Sequence, residues 1–155
     1  MELAEILAKH AVLFCTDVTT KRQLFEVLAQ KAAETTGLPR ADILDALTSR
    51  EEIGSTGLGN GIAIPHGKMG GLKGVTAVFA RLETAIDFDS VDDQPVDLVM
   101  MLLAPVGSGA DHLKALSRVA RLLRTESIVD QLRSTEDPAE LYAILASPVE
   151  DTVAA

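Results

Sequence analysis

The residues best suited to chemistry lie in Gly54-Ser55-Thr56-Gly57-Leu58-Gly59-Asn60-Gly61-Ile62-Ala63-Ile64-Pro65-His66-Gly67-Lys68. Five glycines in these fifteen residues are entropically costly, and a folded chain keeps them mainly where it turns tightly or approaches something closely, a phosphate for example. His66 follows a short apolar run and Pro65, so the imidazole is presented on a stiff backbone where a strand pattern gives out. A neutral imidazole, with a reference pKa of about 6.5, is a nucleophile at cell pH and can take and give up a phosphoryl group.

Other chemistries lack their patterns. A nucleotide-binding P-loop needs Gly-Lys-Ser or Gly-Lys-Thr, and the chain has Gly67-Lys68-Met69. The Gly-x-Ser-x-Gly elbow of a serine hydrolase is absent, and the histidines stand too far apart in sequence to suggest a zinc cluster. Asp87, Asp89, Asp92 and Asp93 lack the central Gly and closing Glu of a calcium loop and read as solvated carboxylates. The single cysteine, Cys15, ends the apolar run Ala11–Cys15 and reads as a buried, inert thiol. His10 has no motif around it and reads as a solvated side chain.

The elements that must position His66 follow from periodicity. Leu3, Ile6 and Leu7 are spaced for a short helical face, and Ala11–Cys15 for a strand. Thr20-Lys21-Arg22-Gln23 has the spacing of a capping box, opening a helix whose stripe of Leu24, Val27, Leu28 and Ala32 runs to Gly37. Pro39 suits a first helical position, and the helix it begins carries Ile43, Leu44 and Leu47 up to Arg50 and Glu51. Arg50 therefore sits near a helix C-terminus, where a cation complements the dipole, and its nearness to the glycine stretch leaves a second use open.

Val75–Leu82 reads as a strand. Val96–Ala104, apolar throughout and stopped by Pro105, reads as a central strand covered on both faces. Asp111 is placed to cap a helix carrying Leu113, Leu116, Val119 and Leu123, which puts His112 in the first turn. Free N–H groups and the positive helix end there favour an anion and a neutral imidazole, so His112 is either a plain exposed histidine or a phosphate contact. A helix over Ser127–Arg133 and another from Asp137-Pro138-Ala139-Glu140 complete the pattern, before a tail at 148–155 with no stripe to bury, expected to be mobile. Alternating strands and helices predict an α/β fold, a single mixed β-sheet flanked by helices on both faces.

Composition narrows the partners. The 155 residues suffice for one domain, and the apolar fraction of 47% with only 3% aromatics calls for an aliphatic core. A net charge of −9 argues against nucleic acid. No apolar run reaches the roughly 18 residues of a membrane span, and the start lacks a basic signal region, so a cytoplasmic protein is expected.

The run from Arg50 to Lys68, above all Gly-Ile-Ala-Ile-Pro-His-Gly at 61–67, closely resembles the IIA component of the bacterial phosphotransferase system, fructose/mannitol class. It looks most like the nitrogen-regulatory branch, IIA-Ntr, and the resemblance continues through Gln94-Pro95-Val96-Asp97-Leu98 and the helix start at His112-Leu113. It implies one such domain over residues 1–147, with a mixed sheet flanked by helices. His66 is then implied as the acceptor of a phosphoryl group from the phosphohistidine of an HPr- or NPr-type carrier, with Arg50 and His112 matching the family's residues that flank the phosphorylated ring. Thr56 is a further phosphate-contact candidate, and neither metal nor cofactor is implied. The expected role is phosphorylation-dependent regulation of partner proteins, because the chain reads as a free-standing domain whose motif ends in His66-Gly67-Lys68. The alternatives are a sugar-transport IIA that hands phosphate to a IIB subunit and a binding module in which His66 stays unphosphorylated.

Overall fold

The computed structural model describes residues 2–147; the tail at 148–155 lies outside them. A 3-10 turn at Leu3–Glu5 leads into β1 (Leu7–Cys15), followed by α1 (Lys21–Thr36) and α2 (Arg40–Ile53). Three short strands, β2 (Gly57–Gly59), β3 (Ile62–Ala63) and β4 (His66–Met69), precede the long β5 (Thr76–Ile86) and β6 (Val96–Pro105). The chain closes with α3 (Gly109–Leu123), α4 (Glu126–Arg133) and α5 (Pro138–Ala146).

These strands form a six-stranded mixed sheet in the order β1-β5-β6-β3-β2, with β4 also on β6. β5 and β6 run antiparallel, while β1 on β5 and both β3 and β4 on β6 are parallel. α1 and α2 pack together and against β5 and β4, α3 packs against β6 and α5 against β1, and α4 sits between α3 and α5. Consecutive residues of β5, Ala77, Val78, Phe79 and Ala80, are all buried although they point alternately to opposite faces, so both faces are covered. β6 is the central strand expected from its unbroken apolar run, and every residue from Leu98 to Ala104 is buried.

The helix ends follow their capping residues with small shifts. Thr20 accepts from the Gln23 N–H at 3.1 Å, and Gln23 answers by accepting from the Thr19 N–H at 2.7 Å, one residue earlier than a closed box. Gly37 ends α1 in the left-handed conformation, with φ of 78°. Pro39 is the N-cap of α2, not its first residue. The start of the chain differs from expectation: Leu7 opens β1, not the end of a helical face, because it pairs with Ala77 in the parallel ladder and is buried there. Likewise Ser108 occupies the N-cap of α3 and Asp111 lies within its first turn.

The glycine stretch serves the fold itself. Asn60 and Gly61, both with positive φ, turn β2 back onto β3. A side chain at Gly61 would collide with the Arg133 guanidinium, which forks onto Asp97 through Nε and Nη2 and also holds the Asn60 carbonyl at 2.9 Å. Gly67 lets β4 lie close under α2, since a Cβ there would meet the Ala46 carbonyl oxygen at 3.1 Å and its carbon at 3.2 Å. Both are backbone atoms that have little room to yield. Gly67→Ala should therefore destabilise the protein by about 1–3 kcal/mol, the usual range for overpacking; equilibrium urea unfolding reads this, and an unchanged midpoint would show that α2 slides away freely.

Candidate active site

β3 and β4 are one strand interrupted. Ile62 lies opposite Leu98 and His66 opposite Leu102, so a single register on β6 runs through Ile64 and Pro65. The Pro65 carbonyl still accepts from the Leu102 N–H at 2.9 Å, facing β6. Ile64 faces the other way: its N–H donates to the Thr56 carbonyl at 3.1 Å and its own carbonyl accepts from Nδ1 of His66 at 2.8 Å. A carbonyl oxygen can only accept, so Nδ1 carries the proton and the lone pair of the neutral ring is on Nε2. His66 is half-buried, with its nucleophilic nitrogen chosen by the backbone of its own strand.

The sheet brings His112 to this ring. β6 ends at Pro105 beside Met69, and α3 begins four residues later, which places the two imidazoles with centroids 5.4 Å apart and planes inclined at 54°. His112 is 7% exposed. Its Nδ1 is buried with no partner among the described residues. A buried lone pair is tolerated better than a buried, unpaired N–H, so the proton belongs on Nε2, which then is a donor. The Ser108 hydroxyl turns back to the Pro105 carbonyl at 2.7 Å and does not cap α3, whose first internal bond runs from the His112 N–H to the Ser108 carbonyl at 2.9 Å.

Both rings are held neutral. Burial lowers the pKa of His66, and the Arg50 and Lys68 charges lower it further, against the Ile64 hydrogen bond and the Glu51 carboxylate, which raise it. Burial also lowers that of His112, followed by His66 and Lys68. The neutral state expected for His112 from a helix end thus has burial as its main cause. Arg50 lies in the last turn of α2 and donates from Nη1 to the Gly54 carbonyl at 2.9 Å. That is the dipole-complementing position, close enough to His66 to act on its titration. Its guanidinium occupies the end of α2 nearest His66, whose pKa its charge lowers.

Thr56 is buried and directs both of its donors to one side chain: its N–H reaches Glu51 Oε2 at 3.0 Å and its hydroxyl Glu51 Oε1 at 2.6 Å. Sequence reasoning passed over Glu51 because nothing in Arg50-Glu51-Glu52 distinguishes its first carboxylate from its second. Lys68 was named only as the end of the motif, although its charge acts on both rings. His10, exposed and bonded to Thr35 at 3.2 Å, stands apart from this group. Cys15 is half-buried and its pKa is raised by burial and then by Asp17, which disfavours the thiolate. Among the described residues no cluster of three or more His, Cys, Asp or Glu side chains is gathered for a metal ion, and no helix is long and apolar enough to cross a membrane.

The family described as "Phosphoenolpyruvate-dependent sugar phosphotransferase system, EIIA 2" matches residues 5–147. The chain belongs to this family. It is 48% identical over 148 residues to a nitrogen regulatory protein of Bradyrhizobium diazoefficiens, covering 96% of this chain and 97% of that one. A fructose-specific EIIA component of Haloferax volcanii is 39% identical over 132 residues, 84% of this chain and 86% of the relative. The crystal structure of the nitrogen regulatory protein IIA-Ntr of Neisseria meningitidis superimposes with a TM-score of 0.85 at 36% identity, covering 92% of this chain and 98% of that one. The mixed sheet with its five helices is the architecture of these IIA structures, and the chain is a phosphotransferase-system IIA component.

The paired neutral rings of this IIA component make its stability depend on pH. For a histidine whose native pKa lies below its unfolded value of about 6.5, the unfolded chain takes up the proton first, so the ring's contribution is complete above that value and is lost as pH falls through the window below it. Replacing both rings, as in His66→Gln with His112→Gln, should therefore reduce the loss of urea stability between pH 7.5 and 5.5. An equal loss in the wild type and the double variant would overturn the assignment of neutral native rings.

Proposed function

We propose that His66 is the phosphoryl acceptor of this IIA component, taking its phosphoryl group from the phosphohistidine of an HPr- or NPr-type carrier. The observation that carries the reading is the Ile64 carbonyl on Nδ1 of His66, which leaves Nε2 as the nucleophile. In the transfer, the His66 Nε2–P bond forms as the P–N bond to the carrier imidazole breaks, and the carrier ring leaves with the electron pair. The positive charge that attack creates on the His66 ring is stabilised by the Nδ1–H bond to Ile64, since a ring with a proton on Nδ1 and a phosphoryl group on Nε2 is a cation.

Arg50 and His112 flank the incoming group. His112 donates from Nε2 to an equatorial phosphoryl oxygen, and Arg50 leaves the Gly54 carbonyl for the stronger charge-assisted bonds that its planar fork makes to phosphate. Such donors act on charge as it develops in transfer. Thr56 contributes by holding the backbone that carries Ile64; to contact the phosphate it would have to turn its single O–H away from Glu51.

The biological role that fits best is regulatory: the covalent state of His66 alters the surface around Gly54–Gly57 and α3, and partner proteins read the difference. The high identity to a nitrogen regulatory protein supports this. A sugar-transport role, passing phosphate to a IIB subunit, is the second reading and is supported by the similarity to a fructose-specific EIIA component. Phosphoryl transfer from the labelled protein to a fructose- or mannitol-class IIB would favour transport, and its failure to proceed favours regulation.

Incubation with phosphorylated carrier should add one acid-labile, base-stable phosphoryl group, and His66→Ala should abolish it while circular dichroism stays native. Undiminished labelling of that variant would overturn the assignment. Arg50→Ala should slow transfer by about 10-fold to 1,000-fold with carrier binding nearly unchanged, as expected when a transition-state donor is lost. If stopped-flow kinetics show weaker binding and an unaltered transfer step, Arg50 serves docking alone.

A further inference from the structure

Thr56 and Ile64 stand opposite each other where β2 and β3 diverge, and the Ile64 N–H donates to the Thr56 carbonyl at 3.1 Å. Opposed residues of an antiparallel hydrogen-bonded pair normally exchange two bonds, so the Thr56 N–H would return to the Ile64 carbonyl. Here it does not. Thr56 gives its N–H to Glu51 Oε2 at 3.0 Å, and the Ile64 carbonyl takes the Nδ1–H of His66 at 2.8 Å.

We propose that Glu51 is a positioning residue for His66: by drawing off the Thr56 N–H, its carboxylate releases the Ile64 carbonyl to the imidazole and so selects the ring tautomer that exposes Nε2. The carboxylate is itself tightly fixed. It is 7% exposed, takes the Thr56 hydroxyl on Oε1 at 2.6 Å, and pairs with Lys21 Nζ at 2.8 Å. Lys21 is anchored in turn by the Phe88 carbonyl at 3.1 Å and by the Phe88 ring, 4.3 Å below its ammonium. A chain of contacts thus runs from α1 through α2 to the strand break, Lys21 to Glu51 to Thr56 to Ile64 to His66.

Glu51 also acts through its charge. Around His66 stand Arg50 from α2, Lys68 from β4 and His112 from α3, and Glu51 is the carboxylate that opposes the two cations. Removing it should lower the His66 titration midpoint.

The test has two arms, the second resting on the phosphoryl-acceptor reading and the first not. In the unphosphorylated protein, ¹⁵N NMR of the His66 ring should show the Nδ1–H tautomer in the wild type, a mixture of tautomers in Glu51→Ala, and a lowered midpoint in both Glu51→Ala and Glu51→Gln. The Gln variant keeps the shape and an acceptor for Thr56, so it reports the charge if the Ala variant does not fold. Single-turnover transfer from phosphorylated carrier should fall by about 10-fold to 100-fold in Glu51→Ala, the scale of a small misplacement of a reacting group, and should be partly restored in Glu51→Gln. A folded variant whose His66 tautomer and midpoint match the wild type would overturn the proposal. If the wild type accepts no phosphoryl group, the acceptor reading fails while the ring measurement still decides the role of Glu51.

Discussion

The site depends on the hydrogen bond between the Ile64 carbonyl and the His66 ring. It exists because the Ile64 carbonyl, which faces away from β6, is not taken by the Thr56 N–H opposite it, whose partner is Glu51. An uninterrupted pair of strands would use every inward-facing carbonyl and N–H in the ladder and leave none for a side chain. Beyond Thr56 the neighbouring strand turns away toward α2, so no further backbone N–H lies opposite the Ile64 carbonyl. One carbonyl is left beside one imidazole, two residues apart along the chain, in a geometry that β6 holds from the other side through the Leu102 bond to Pro65. The His66 ring is thus oriented by main chain, which moves less than any side chain that might do the same work.

The electrostatics of the site run against those of the whole molecule. A chain of net charge −9 gathers Arg50 and Lys68 around two histidines, with Glu51 buried beneath them and paired to Lys21. Two neutral rings, His112 buried and His66 half-buried, beside two cations create a local positive potential in an acidic body, suited to a phosphoryl dianion and unsuited to protonation of either ring. Here burial does more than the formal charges, since it is the first cause of both depressed pKa values. Phosphorylation would reverse the balance, because an anion near His112 favours its imidazolium.

Much of this arrangement was legible in the sequence, and the parts that were not have physical reasons. The central strand showed itself as an apolar run ended by Pro105, α1 by its capping box and Gly37, and His66 by the proline and glycines around it. The glycines were legible as special without showing why: Gly61 makes room for Arg133 and Gly67 for the backbone of α2, and neither distant partner is visible in a local pattern. Leu7 was misplaced onto a helical face because three apolar residues at helical spacing cannot be told from a turn followed by a strand until β5 supplies its ladder. Asp111 was read as a cap because Asp is a good one, whereas the chain enters α3 at Ser108 directly from the end of β6. Glu51 stayed hidden because its partners, Lys21 and Thr56, come from α1 and from the strand break.

Arg50 shows how a plain structural role and, on the proposed reading, a chemical one can share a side chain. At the end of α2 its guanidinium lies on the Gly54 carbonyl, which a helix terminus leaves free, and the favourable dipole holds it there. A neutral carbonyl is a weaker acceptor than a phosphoryl oxygen, so on the proposed reading the arrival of phosphate draws the fork away and frees the last turn of α2. The residue next to it, Glu51, keeps its hold on Thr56 throughout, because its bonds face the strand break and not the phosphate. On the proposed readings the two neighbours divide the work: Glu51 keeps the His66 ring in register in both states, while Arg50 transfers the change of state from His66 to the loop at Gly54. A partner that distinguishes the two forms would find the difference at the end of α2, with the sheet beneath it unaltered.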